Sequence, residues 1–252
     1  MRMHILAGGR LRMRRGIYYP DAAPDEQVEL PVSCFLLRHS GGNVLFDTGC
    51  HPESVTDAPA RWGEWAKRMV PLHGAQDNPV AELGRLGLSA NDVDVVICSH
   101  LHPDHCGCNG FFPRATVLCH RAELERARGP DAAAKGYIAA DWDQTAFDTT
   151  ESQRDLFNDG RIVLLPTPGH TPGCLAALVV LERSGTFLLA SDTVSVRASL
   201  DQDYAPRNTA DPDALLRSFA EIRRIEAAGA AVICGHDAAE WDRLHKGEAF
   251  YD

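Results

Sequence analysis

The chain has 252 residues, is 44% hydrophobic and carries a formal net charge of -10. That length and apolar content suffice for a sizeable core, and the acidic balance argues against nucleic acid as a partner, because it repels phosphate backbones. No apolar run approaches the length of a membrane span, and the opening "MRMHILAGGRLRMRR" has neither a secretory apolar core nor a cleavage pattern, so a cytoplasmic protein with no membrane partner is expected.

Near the start, Arg10, Arg12, Arg14 and Arg15 cluster in a stretch that reads as a solvated, positively charged edge strand. The apolar runs "SCFLLRH" and "NVLFDTG" follow, each of strand length and closed by a polar or turn signal. Residues 52–75, with Trp62, Trp65, Met69 and His73, fit no such pattern and read as an irregular excursion of the kind that forms lids or binding loops. "DNPVAELGRLG" predicts a helix, with Asn78 as N-cap, Pro79 in the first position and Gly87 past the end. "VDVVICSH" and "ATVLCH" are again strands, and "HRAELERARGP" is a short helix stopped at Gly129-Pro130. A second excursion, 131–160, carries Tyr137, Trp142, Phe147 and Phe157. Three more strands, "RIVLLPTPGH", "LAALVVLE" and "TFLLASD", precede the helix "ADPDALLRSFAEIRRIEAAG", which is capped by Asp211 and striped by Leu215, Phe219, Ile222 and Ile225. "AAVICGHD" is the last strand.

Continuous apolar strands interleaved with helices indicate a layered α/β protein whose sheets are covered by helices. No linker, low-complexity block or repeat interrupts the chain, so one domain spanning 1–252 is expected. The eight cysteines do not fit a disulfide scaffold in a chain of this length, and several sit inside apolar runs, so they read as buried free thiols.

The chemistry concentrates at strand ends. His100 follows "VVICS", His170 follows "IVLLPTPG", Asp192 follows "FLLAS" and His236 follows "VICG". Strands of one sheet deliver such ends to a common edge, where open α/β folds build their sites. With His102, Asp104 and His105 from "HLHPDH", seven ligand-type residues result. Seven exceed the needs of one tetrahedral ion and suit two. His100 and His102 can share one metal, Asp104 and His105 face a neighbouring position, and Asp192 is placed to bridge. Imidazole and carboxylate without cysteine favour zinc, with iron, manganese or cobalt as alternatives.

"HLHPDH", His170 in "TPGHTPG", Asp192 in "ASDT" and His236 in "GHD" together resemble the metal pattern of the metallo-β-lactamase superfamily. The resemblance covers nearly the whole chain and implies a four-layer αββα sandwich with a dinuclear site along one edge. It implies that His100, His102 and His170 hold the first ion, that Asp104, His105 and His236 hold the second, that Asp192 bridges, and that Asp47 in "FDTG" orients a ligand. Within the superfamily the chain looks most like the N-acyl-homoserine lactonases, on the stretch "GYIAADWDQ" and the position of "GHD" near the C-terminus. Those enzymes are often dimers, and exposed parts of the Trp62–Met69 segment would supply an apolar contact for a homodimer.

The resemblance implies a hydrolase that opens a small lactone by attack of a hydroxide bridging two divalent ions, with Asp104 as the catalytic residue that orients it and shuttles its proton. One departure concerns the substrate: lactonases of this type carry a tyrosine three positions after the bridging aspartate, where this chain has Ser195. Tyr204 is a candidate substitute, and Tyr137 and Trp142 are candidate substrate-binding residues. The alternative readings are a hydrolase of another ester, thioester or amide on the same fold, and a non-catalytic metal-binding protein.

Overall fold

The computed structural model describes residues 1–252. One sheet contains β1 (Arg2–Arg14), β2 (Gln27–His39), β3 (Gly42–Phe46), β4 (Val70–Pro71), β5 (Val95–Ile97), β6 (Thr116–His120) and β7 (Phe147–Thr150), in the order β4-β1-β2-β3-β5-β6-β7. The other contains β8 (Arg154–Asp155), β9 (Ile162–Pro166), β10 (Leu175–Val180), β11 (Thr186–Ser191) and β12 (Ala231–Cys234), in the order β12-β11-β10-β9-β8. The α-helices are α1 (Glu53–Thr56), α2 (Ala58–Trp62), α3 (Pro79–Arg85), α4 (Pro103–Cys106), α5 (Arg121–Ala127), α6 (Ala139–Trp142), α7 (Arg197–Asp201), α8 (Pro212–Ala227) and α9 (Ala238–Trp241).

Alternation along the strands builds the layers. Val44, Phe46, Ile97 and Leu118 of the first sheet meet Leu164, Ala177, Phe187 and Leu189 of the second in a core between the sheets. Their neighbours point the other way. Leu45, Val96 and Val117 pack on Leu83 of α3 and Leu124 of α5, while Leu188, Ala190 and Val232 pack on Leu215, Phe219 and Ile222 of α8. Because both faces of each sheet are buried, the strands read as unbroken apolar runs. The outcome is the expected order of helices, sheet, sheet and helices. The predicted caps are in place: Asn78 and Asp211 side chains accept from the amides of Ala81 and Ala214.

β3 and β5 run parallel in one sheet, and β11 and β12 run parallel in the other. Their carboxyl ends release Asp47, Ser99, Asp192 and Gly235 towards one rim. No helix is long and apolar enough to cross a membrane.

Three expectations are corrected. Both excursions contain regular structure: α1, α2 and β4 lie within 52–75, and α6, β7 and β8 within 131–160. These pieces are too short to leave a period in the sequence, and β7 and β8 are polar. The arginine-rich strand β1 lies one strand in from the edge, covered by β4 at Leu11 and Arg12, and Arg10 and Arg12 face Glu29. Finally, Trp62 and Met69 turn inward to pack on Tyr18, Leu30 and Val196. The exposed positions of that segment are Gly63, Glu64, Lys67 and Arg68, and its apolar surface is reduced to the half-buried Trp65 and Ala66.

Candidate metal centre

The rim collects all seven ligand-type residues. Six are buried and His102 is half-buried. Their donor atoms form three overlapping groups, His100/His102/His170, His100/His105/Asp192 and Asp104/His105/His236, with the atoms of each group within 4.8 Å of one another.

The hydrogen bonds around the rings fix which nitrogens point inward. His105 Nδ1 donates to Asp47 Oδ2 at 2.8 Å, and His236 Nδ1 donates to the Pro31 carbonyl at 2.8 Å. In the neutral form that binds a metal, their Nε2 atoms then face each other as lone pairs, 3.3 Å apart. His102 Nε2 donates to the Lys135 carbonyl at 3.1 Å, which leaves His102 Nδ1 as a lone pair. Ser99 Oγ donates to Asp47 Oδ2 and accepts from Ser191 Oγ, each at 2.7 Å, so it also accepts the His100 Nδ1 proton at 3.0 Å. The inward His100 Nε2 and His170 Nε2 each lie 3.1 Å from His102 Nδ1.

Asp192 sits between the groups. Its Oδ1 is 2.8 Å from His236 Nε2 and 3.4 Å from His105 Nε2, while its Oδ2 is 3.3 Å from His170 Nε2. Asp104 Oδ2 completes the His105 and His236 side at 3.7 and 3.6 Å. Electron-rich atoms converging with their protons turned outward repel one another unless a cation stands among them. The donor set thus fits divalent ions, with Asp192 offering one oxygen to each side.

The local charges divide the imidazoles into two kinds. Burial holds His100 well below the usual histidine range, lowers His102, and brings His170 down to about 4. Burial thus favours the neutral form of these three rings, the form in which imidazole binds a metal. Burial acts on His105 and His236 in the same sense. There it is outweighed, for His105 by Asp104, Asp47 and Asp192, and for His236 by Asp192 and Asp104, so both are raised. That side of the rim attracts positive charge most strongly.

Asp47 and Ser191 adopt left-handed backbone angles, φ 60° and 46°, which cost non-glycine residues energy and cluster at functional sites. Both side chains enter the network that orients His100 and His105. Ser99, Ser191 and the Pro31 and Lys135 carbonyls were not anticipated. Ser99 and Ser191 each directly precede a ligand at a strand end, which is the one sequence signal they carry.

The four proposed substrate residues lie in different settings. Ser195 is fully buried, and its hydroxyl donates to the Asp192 carbonyl at 3.4 Å, so it faces into the fold. Tyr204 is half-buried beyond α7, its amide bonded to the Ser199 carbonyl. Tyr137 is buried with its ring centroid 5.1 Å from that of His102. Trp142 is buried in the cluster that includes Cys106 and Cys108, beside α4. The loop of Tyr137 is clamped by the first excursion: Trp65 Nε1 donates to the Ala133 carbonyl at 2.8 Å, and Arg61 pairs with the buried Asp141.

A two-sheet sandwich whose rim gathers five histidines and two aspartates around a shared carboxylate defines a class of metal-dependent protein. The sequence model of the metallo-beta-lactamase superfamily matches residues 28–236, and the chain belongs to that superfamily. It is 32% identical to the N-acyl homoserine lactonase AttM of Azorhizobium caulinodans, over 100% of this chain and 99% of the relative. It is 31% identical to the N-acyl homoserine lactonase AiiB of Agrobacterium fabrum, over 89% of this chain and 86% of that one. Its fold superposes with a TM-score of 0.90 on an N-acyl homoserine lactone hydrolase solved with N-hexanoyl-L-homoserine at its catalytic metal centre, at 24% identity, covering 99% of this chain and 98% of that chain.

Proposed function

We propose that this chain is a metal-dependent hydrolase that opens the ring of N-acyl-homoserine lactones or a closely related small lactone. The observation that carries the reading is Asp192, whose Oδ2 faces His170 while its Oδ1 faces His236 and His105. His100, His102 and His170 would hold one ion and Asp104, His105 and His236 the other, with Asp192 between them and zinc the ion that best suits the donors. When bound, such a pair supplies an activated water and polarises the substrate carbonyl.

The chain's own residues do the rest. Asp104 receives the water's proton as the carbonyl is attacked and returns it to the ring oxygen as the ester C–O bond breaks, giving a hydroxy acid. Asp47 keeps the His105 proton on Nδ1, so that Nε2 stays free to bind a metal. Tyr137 beside His102 and Trp142 beside α4 are the aromatic candidates for a substrate contact, and Tyr204, after α7, is the candidate phenol. Residues 1–252 act as one domain in this reading, because both sheets supply ligands to one rim. Its setting is the cytoplasm, and its assembly is a homodimer, which sedimentation tests.

The experiment is proton release in weakly buffered solution, across acyl-homoserine lactones of several chain lengths, γ-butyrolactone, a thioester and a cephalosporin. Acid release from acyl lactones that requires a divalent ion and disappears in His102→Ala is expected. Silence on every lactone, with turnover of another ester, would overturn the lactone assignment.

A further inference from the structure

One further acidic side chain is completely buried beside the ligands and lies outside every role given so far. Glu123, in the first turn of α5, is 0% exposed. Its Oε1 accepts from the Leu101 amide at 3.0 Å, and its Oε2 accepts from the Gly173 amide at 3.1 Å. Leu101 stands between His100 and His102. Gly173 closes the turn that begins at His170. One carboxylate thereby ties together the two loops that carry all three imidazoles of one ligand group. Amide-to-carboxylate bonds are charge-assisted and stronger than neutral ones, and a buried carboxylate that loses them is costly.

The contact is close enough to dictate a residue type. A Cβ on Gly173 would lie 2.3 Å from the Glu123 nitrogen, so only glycine lets the loop rest on α5. Tyr137 packs its ring beside His102 on the same side, at 5.1 Å between centroids.

We propose that Glu123 is a positioning residue for the His100/His102/His170 group, holding the two loops in the register at which their inward nitrogens converge. It touches no substrate and acts through the backbone. The inference rests on the reading of the rim as a two-ion centre. It adds that this ion site has a support of its own, since Glu123 bonds only the Leu101 and Gly173 amides.

The test uses the full chain, stripped of metal and titrated with Co(II). The visible absorption of bound cobalt and the bound-ion stoichiometry are followed, and the melting of the metal-free chain is recorded in parallel. Glu123→Gln keeps the shape but turns an amide N–H towards one of the two backbone donors. One of the two cobalt sites is expected to weaken about 10–100-fold, the range typical for loss of a group that orients a metal ligand, while the other keeps its parent affinity and spectrum. Glu123→Asp keeps the charge but reaches only one amide, and is expected to weaken the same site; it carries the test if the glutamine variant does not fold. Leu124→Ala, the neighbouring core position on α5, should lower the melting temperature and leave both cobalt sites intact. Parent affinity at both sites in the Glu123 variants, equal weakening of both, or the same selective loss in Leu124→Ala would overturn the proposal. A parent chain that binds fewer than two cobalt ions would instead remove the two-ion reading, and this inference with it.

Discussion

The two halves of the ligand set are framed by different parts of the molecule. On the Asp104 side, the outer nitrogens of His105 and His236 are bonded to Asp47, directly after β3, and to Pro31 within β2. The sheet itself is the frame. On the other side, His102 is oriented by the Lys135 carbonyl, in a loop held by Trp65 and by the Arg61–Asp141 pair, and His170 Nδ1 has no hydrogen-bond partner. Here the frame is partly an excursion. Loops are the more mobile and variable parts of a fold, so one half of the centre inherits the rigidity of a sheet and the other is coupled to the wall a substrate would meet. A change in that wall is therefore expected to alter metal affinity as well as substrate fit.

Substitution of the shared residue removes the comparison altogether. Asp192→Asn takes a bridging charge from both halves, and its loss of metal and activity should exceed the about 10–100-fold caused by losing an outer partner; metal analysis after dialysis checks this, and retention of both ions would contradict it. Asp47→Asn sharpens the contrast. It should weaken the His105/His236 half, which Asp47 bonds directly, by about 10–100-fold in metal affinity and reduce turnover, while the other half, reached only through Ser99, loses less, as read from stoichiometry at limiting metal.

The smallest effect concerns the clamp on the excursion. Burial pushes the Asp141 carboxyl up to about 7 in spite of Arg61. That lies above the value in an unfolded chain, about 3.9, so the folded state holds this proton more tightly. The stability this group contributes is complete at low pH and is lost as pH rises towards 7. Asp141→Asn cannot titrate, so its melting temperature should fall less than the parent's between about pH 5 and pH 8. Parallel melting curves for the two proteins would refute this.

The candidate ligands were findable because four of them, His100, His170, Asp192 and His236, sit where an apolar run stops, because the other three share the dense motif with His100, and because strand ends of a layered fold share a rim. Asp47 was legible on the same grounds. Glu123 was not, because it lies in the first turn of "RAELERA", where an acidic residue is ordinary, and its partners are backbone amides 22 and 50 positions away; no side-chain pattern records such bonds. The strands of the two cores were readable from their Val, Leu and Ile runs. β1 was harder, since Gly8 and Gly9 interrupt it at a register shift and its second half is rich in arginine. The direction faced by Trp62 and Met69 depended on the hollow left by Tyr18 and Val196, residues far away in the chain.

All eight cysteines are free and buried, and burial holds each thiol above its usual range. They are also unevenly distributed: five lie in the core beneath α3 and α5, Cys234 lies under α8, Cys50 packs with Trp62, and Cys174 lies against Thr193. A thiolate-seeking dye in native solution therefore meets a silent protein, and each modification records a moment when one layer came apart. The sulfur atoms act as a built-in clock, and the cysteine that reacts first identifies the layer that opens first.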